Sequence, residues 1–390
     1  MTNPHKIVMT RNLNKEINAV ESRNSVEIVN SRPLRVGVDL SNVCNINCIF
    51  CLARDSRQQK SSPNAFRSAA WLNKINTLLP FMDHVIFSSY EAILAPEFPN
   101  AVEMLRRYYT PFNIFTNGLA LTPELSKYCL ENGLASINCS FHAADKATYQ
   151  SIMRGSDYNT VLRNLLSLKA QAERINPAFR LTMVFCAMRR NIHELPAYVD
   201  LAYAVGAKVI QVNYLLVTHG DTGLEGEAMF FNQHRYDRNV RLAKAKAARL
   251  GIKLQHQPTF RDYTEDDDMI RPCYRPWEHL IVTQAGSVQI CCGGTGNQGN
   301  IFEQDFFSVW NNDMFQEFRR RVNTDDPPKA CRSCTRGREN PFDPTVHLTY
   351  LRKLPKKERQ QRLAELMREF GQEGSNAMPV ETAECSPCSL

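Results

Sequence analysis

Between residues 34 and 217 short apolar runs alternate with longer stretches of helical period. The runs are residues 34–40, 84–88, 113–116, 136–141, 180–187 and 208–215, each rich in Val, Ile, Phe or Leu and each followed by a loop. Between them, residues 66–79, 122–131, 159–172 and 195–205 carry helical patterns. Six such strand–helix repeats predict a parallel sheet with right-handed crossovers. Continuously apolar strands fit a sheet covered on both faces. Periodicity alone leaves open whether that sheet stays flat or curls into a barrel.

The pattern then changes. Residues 232–250 read as a helix closed by Gly251. Residues 256–272 are polar and acidic, with Glu265, Asp266, Asp267 and Asp268, and mark a boundary. Beyond it, runs 279–282 and 288–291 flank Gln284-Ala285-Gly286-Ser287, a hairpin signal. A helical stretch over 306–322 carries Trp310 and Phe318. Residues 355–370 are helical, with Leu363, Leu366, Met367 and Phe370 on one stripe. The last twenty residues are poor in apolar side chains and are expected to be disordered. At the other end, residues 1–33 are polar, weakly patterned and closed by Asn30, Ser31 and Pro33. They read as a lead-in or a single helix against the body, too short for a separate peptide-binding domain. The expected division is 1–33, 34–254, 255–340 and 341–390.

Composition narrows the classes. With 390 residues the chain can bury a large core in two domains. The net charge is +7, but the basic residues are dispersed. The densest cluster, Arg319-Arg320-Arg321, lies on a helical stretch and reads as a solvated face, so no nucleic-acid partner is expected. There is no apolar run of membrane length and no secretory leader, so no membrane partner and a cytoplasmic location are expected. Thirteen cysteines in such a chain point to metal or redox chemistry before disulfides.

Three of those cysteines, Cys44, Cys48 and Cys51, stand at spacing C-x3-C-x2-C directly after the first strand run. Thiolates this close on one loop can wrap one soft metal centre. They cannot complete a four-iron cubane, in which each iron takes a ligand, and one iron is left open for chemistry. A zinc knuckle or plain buried thiols are the alternatives, although no second C-x2-C pair lies nearby to finish a zinc site.

The spacing, with Phe50 just before the third cysteine, resembles the radical S-adenosylmethionine (SAM) superfamily. The resemblance implies an α/β fold, a partial (β/α)6 barrel, with functional residues at the C-terminal ends of its strands. It also implies a 4Fe–4S cluster whose open iron binds the amino and carboxylate groups of SAM. One electron, from an external donor such as flavodoxin or ferredoxin, cleaves SAM to a 5′-deoxyadenosyl radical that takes a substrate hydrogen.

The same resemblance suggests cofactor contacts. Phe50 matches an aromatic position bordering the adenine. Glu91, in Ser88-Ser89-Tyr90-Glu91-Ala92, matches the Glu of a Gly-Gly-Glu-Pro motif, with Ser89 and Tyr90 replacing the glycines and Ala92 the proline. A carboxylate there suits the SAM ammonium, although a solvated loop charge is the plainer reading. Asn117 belongs to Thr116-Asn117-Gly118, which resembles a family turn at the SAM end. Strand alternation puts Asn138, Ser140 and His142 on one face and Cys139 on the other. Polar groups on a buried strand need partners, and Ser140 matches a SAM-contacting position. Arg154 resembles an arginine pairing the SAM carboxylate, or is a surface cation at a helix end. Asn191 resembles a residue touching the SAM ribose or carboxylate. His142 is a proton-transfer candidate or a backbone-satisfied histidine. Cys186 is a hydrogen-donor candidate or plain core. Gln211 and Asn213 end the sixth strand run with polar groups that can face substrate. No catalytic acid or base is assigned.

A second constellation is Cys273, Cys291, Cys331 and Cys334. Four thiolates from three separate places can saturate one iron–sulfur cluster, and they also match a zinc ribbon loosely. The pattern resembles the SPASM/twitch extension of radical SAM enzymes, a small α+β domain. No cysteine falls between Cys334 and Cys385, so the match is to the twitch form with one auxiliary 4Fe–4S cluster. Cys292 points away from this set by alternation. Cys385 and Cys388 form a C-x2-C in the tail, a thiol pair or metal half-site if not simply unstructured.

An auxiliary cluster with no open iron suits electron transfer. The expectation is therefore a two-electron oxidation of a sugar or aminocyclitol alcohol, as in twitch-bearing dehydrogenases. The alternatives are a redox-neutral epimerase, a peptide-modifying maturation enzyme, and a zinc-binding structural protein. The substrate is accordingly a small molecule or a peptide.

Overall fold

The structure is a computed structural model, and it describes residues 3–51, 74–88, 90–220, 222–264, 272–292, 296–332 and 340–371. Its sheet strands are β1 (Arg35–Val38), β3 (His84–Phe87), β4 (Phe112–Thr116), β5 (Leu134–Ser140), β7 (Arg180–Ala187), β8 (Val209–Tyr214), β9 (Lys253–His256), β10 (His279–Val282) and β11 (Val288–Gln289). Two short strands, β2 (Asn47–Cys48) and β6 (Met153–Arg154), pair separately and antiparallel. The large sheet runs β11-β10-β1-β3-β4-β5-β7-β8-β9, and its first and last strands do not pair. It is therefore an open sheet among the described residues. β1, β3, β4, β5, β7, β8 and β9 run parallel, as the strand–helix alternation requires.

All six expected strands are present. The seventh parallel strand, β9, is Lys-Leu-Gln-His, half-exposed at the sheet edge. A polar edge strand carries almost no apolar signal, because edges are protected by charge rather than buried. The expected hairpin also forms, but it does not stand apart. β10 continues the sheet in parallel beside β1, with Arg35 opposite His279 and Val38 opposite Val282. Such remote pairing is invisible to periodicity.

Helices cover one face of the sheet. Phe87, Phe98 and Phe112 meet edge-on there with centroids 5.4–6.4 Å apart, all essentially without exposure. Burying each such ring stabilises the fold by about 1.5–3 kcal/mol. The helix Tyr158–Ile175 begins at Asp157, which accepts the Thr160 N–H at 2.8 Å and so satisfies one orphan donor.

The N-terminal helix, Pro4–Arg23, is built the other way round. Its inward residues are mostly polar: Asn14, Asn18, Glu21 and Ser22, with Ile7 as the exception. Asn14 Nδ2 donates to the carbonyls of Arg32 (3.0 Å) and Phe81 (3.1 Å), and Asn18 Nδ2 donates to that of Trp277 (2.6 Å). The Glu21 carboxylate accepts the N–H groups of Asn30 (2.7 Å) and Ser31 (3.1 Å). All of these partners lie just before strand starts, so the helix seals the strand-start end of the sheet. Its weak pattern follows, since it docks by hydrogen bonds while Met9 and Leu13 stay exposed.

The C-terminal helix is Lys356–Phe370, with Leu366 buried, Phe370 against Phe231 at 5.6 Å, and Met367 of the expected stripe exposed. The acidic boundary residues 265–268 and the tail cysteines Cys385 and Cys388 lie outside the described residues. Among the described residues no helix is long and apolar enough to cross a membrane.

Candidate functional site

The loop after β1 carries Cys44, Cys48 and Cys51, all half-buried. Three anchors fix it over the C-terminal ends of the strands. The Glu91 N–H donates to the Val43 carbonyl at 3.1 Å. Asn117 Nδ2 donates to Asn45 Oδ1 at 2.8 Å and reaches the Cys44 sulfur at 3.8 Å. The third anchor is the β2–β6 pairing, which sets Cys48 opposite Met153 and Asn47 opposite Arg154. Among the described residues no three His, Cys, Asp or Glu groups converge on a single-ion site. Cubane ligands bind separate irons and need no such convergence, so three soft thiolates on one anchored loop fit a cluster.

Glu91 is 1% exposed at the base of this loop. Its Oε2 accepts the Asn117 N–H at 2.9 Å, and its Oε1 accepts the Thr116 hydroxyl. Burial outweighs these two donors and pushes the carboxyl up to about 7. The preceding Tyr90 has φ +51°, the left-handed conformation for which glycine is the usual residue, at a cost of about 1–2 kcal/mol. Tyr90 thus keeps a glycine-like conformation without being glycine. Gly118 of the Thr-Asn-Gly turn has φ +78°, and a Cβ there would stand 2.9 Å from Val161.

The other expected contacts divide in two. Phe50 meets the His142 ring edge-on at 5.0 Å, bringing the cysteine loop to the end of β5. Ser140 is the half-exposed last residue of β5, and Arg154 is exposed beside the cysteine loop. Asn191 is wholly buried. It donates to the carbonyls of His142 (2.7 Å) and Cys186 (2.8 Å) and accepts the Met188 N–H (2.7 Å). Its amide ties the ends of β5 and β7 together. His142 is buried, and its Nδ1 accepts the Cys186 N–H at 3.1 Å. Burial holds it down to about 4, so it is neutral with its proton on Nε2. That is the backbone-satisfied reading. Cys186 is buried, and burial pushes its thiol up to about 12, so it stays protonated.

Sequence reasoning missed Thr116 and Asn45 as partners of Glu91 and Asn117. It also missed Glu194, buried, whose Oε2 accepts the Ala144 and Asp145 N–H groups at 2.7 and 2.8 Å beyond β5. None of these has a pattern signal, because each acts on a neighbour remote in sequence. The face of the sheet that the helices leave uncovered presents Asn138, Ser140, Thr182, Gln211 and Asn213, all half-exposed. The register aligns Asn138 with Thr182 and Cys186 with Asn213. Gln211 Nε2 donates to Asn213 Oδ1 at 3.2 Å. With Val184 of β7 set between Ser140 and Gln211, this wall is mostly polar and uncharged.

Two of the second cysteine set, Cys273 and Cys291, lie at the start of β10. Cys273 lies just before the helical turn Arg275–Glu278 that opens into β10, and Cys291 follows β11. Antiparallel pairing of Ile281 with Gln289 returns the chain toward that start. Asn323 hydrogen bonds Cys273 at 2.7 Å, and Cys331 lies eight residues further on. Three half-buried thiols from separate segments fit an iron–sulfur centre. Cys334 lies outside the described residues. Since β10 runs parallel to β1, Cys273 and Cys291 stand at the strand-start end and the C-x3-C-x2-C loop at the strand-finish end.

Comparison with known proteins finds two family models along the chain. One family model, for the radical SAM superfamily, matches residues 38–185. A second, for an iron–sulfur cluster-binding domain termed SPASM, matches residues 273–335. A PqqA peptide cyclase from Methylobacterium sp. (strain 4-46) is 25% identical over 317 residues, 78% of this chain and 79% of that protein. The mycofactocin maturase MftC of Mycobacterium tuberculosis is 20% identical over 175 residues, 45% of this chain and 43% of that protein. Among solved structures, Streptococcus suis SuiB bound to S-adenosylmethionine superposes with TM-score 0.61 at 15% identity, covering 82% of this chain and 74% of that one. Native anSMEcpe with bound AdoMet gives 0.55 at 15% identity, covering 88% and 100%. At these identities the two structures show a shared fold.

Proposed function

From a chain that belongs to the radical SAM superfamily and carries a C-terminal iron–sulfur cluster-binding domain, we infer that the enzyme modifies a peptide. The observation that carries this is the alignment with PqqA peptide cyclases over about four-fifths of both chains. The two domains imply SAM, a SAM-binding 4Fe–4S cluster and auxiliary iron–sulfur ligation as cofactors. When bound, these supply one-electron reduction and abstraction of a hydrogen atom from a C–H bond.

The chain's own residues do the rest. Cys44, Cys48 and Cys51 hold the first cluster, and Asn117 steadies Cys44. Glu91, Ser140 and Arg154 receive SAM at the strand ends, with Phe50 beside the adenine. Asn191 acts through the loops it braces. The uncharged wall of Asn138, Thr182, Gln211 and Asn213 orients the substrate by neutral hydrogen bonds. Cys273, Cys291, Cys331 and Cys334 hold the auxiliary cluster. The position of Cys273 and Cys291 at the start of β10 supports a net two-electron oxidation, since an electron leaving the substrate has a separate place to go.

The test is anaerobic incubation with SAM, a reductant and candidate precursor peptides drawn from neighbouring reading frames. The expected result is 5′-deoxyadenosine together with a peptide lighter by two hydrogens. The same uncharged wall also favours a second reading, oxidation of a sugar or aminocyclitol alcohol. Ketone formation from such an alcohol, with no peptide altered, would establish that reading instead.

A further inference from the structure

We propose that Asn323 is the positioning residue of the auxiliary centre, gripping both backbone polar groups of Cys273 and so fixing that ligand relative to Cys331. The inference rests on the reading that Cys273 and Cys331 bind an auxiliary cluster. Asn323 Oδ1 accepts the Cys273 N–H at 2.7 Å, and its Nδ2 donates to the Cys273 carbonyl at 3.3 Å. A carboxamide suits this grip, because it presents an acceptor and a donor side by side in one plane.

Asn323 stands just past the helix Asp313–Arg321, which Phe315 and Phe318 bury in the core. One turn earlier on that helix, Arg319 donates through Nε to the Pro276 carbonyl at 3.0 Å. Its Nη1 reaches the Glu27 carbonyl at 2.8 Å and Asn311 Oδ1 at 3.0 Å. The helix therefore clasps the segment from Cys273 to Pro276 at two points. The chain then runs from Asn323 to Cys331, whose N–H donates to the Pro328 carbonyl at 2.7 Å.

The Asn323 bonds lie at an exposed position, where such bonds contribute little, so global stability does not depend on them. Their effect is on the ligand. Partners one step behind a metal ligand commonly change metal affinity by about 10–100-fold.

The experiment uses the full chain, purified and reconstituted anaerobically. Iron and sulfide are counted, the paramagnetic signals of the reduced clusters are recorded, and iron release to a chelator is timed. Wild type should hold roughly eight irons per chain, from two four-iron clusters. Asn323→Ala should fall toward roughly four, keep the first cluster's signal and SAM cleavage, and release its auxiliary iron about 10–100-fold faster. Asn323→Asp keeps the acceptor for the Cys273 N–H and should fall between them.

Asn312→Ala is the control. It removes the cap of the same helix, where Asn312 accepts the Phe315 N–H at 3.0 Å, without touching Cys273. It should keep the wild-type iron count. Wild-type iron and auxiliary signal in Asn323→Ala would overturn the proposal, as would an equal iron loss in Asn312→Ala. A wild-type count near four would instead defeat the auxiliary-cluster reading and the proposal with it.

Discussion

Glu91→Gln isolates the buried carboxyl beneath the cysteine loop. Burial raises Glu91 from 4.5 to about 7 in the folded protein, whereas in the unfolded chain it titrates near its ordinary value. An acid raised on folding contributes its full stability below the unfolded value and loses it as pH climbs through the folded one. The rise from 4.5 to about 7 corresponds to roughly 3 kcal/mol. Between about pH 5 and pH 8, wild type should therefore lose about 2–3 kcal/mol through this group alone. Gln has nearly the shape of the protonated acid. Its carbonyl can accept the Asn117 N–H and its amide can donate to Thr116, so the fold persists without that slope. Urea unfolding of SAM-free protein across this range should show a steeper fall for wild type than for the variant. Infrared spectra should show a carboxylic-acid band that titrates near neutrality in wild type and is missing in Glu91→Gln. Equal pH slopes in the two proteins, or an acid band untouched by the substitution, would refute the reasoning.

Cys44→Ala, Cys48→Ala and Cys51→Ala should each abolish 5′-deoxyadenosine formation, because two thiolates cannot hold a site-differentiated cluster; undiminished SAM cleavage in any one would remove that assignment. The double variant Glu91→Ala/Arg154→Ala should weaken SAM binding at least tenfold by equilibrium dialysis, and unchanged affinity would free both residues from the cofactor role. Asn191→Leu should destabilise the fold by about 2–3 kcal/mol, because it strands the buried Met188 N–H and two strand-end carbonyls; a thermal midpoint equal to wild type would count against that brace. Cys331→Ala/Cys334→Ala should keep the first cluster and some 5′-deoxyadenosine yet yield little oxidised product, and a full product yield would sever the auxiliary cluster from the chemistry.

Sequence alone determined whatever is local. A parallel strand buried on both faces must be apolar along its length, so the six strands announced themselves. Three thiolates within eight residues are brought together by covalent geometry, so the cysteine loop could be read before any fold was known. The remainder depended on pairings across the chain. The helix Pro4–Arg23 docks through Asn14, Asn18 and Glu21 onto backbone groups, and hydrogen bonds leave no hydrophobic period. β10 has an ordinary strand sequence, and nothing in it names β1 as its neighbour. The alternation that put Asn138 and Ser140 on one face could not say that this face stays open. Glu91 looked the same as a solvated loop charge until Thr116 and Asn117 closed over it. Nothing in the sequence singles out Asn323, and only the helix end that carries it past Cys273 gives it a role. Spacing encodes contacts between near neighbours; those between remote segments exist only once the sheet order has placed them side by side.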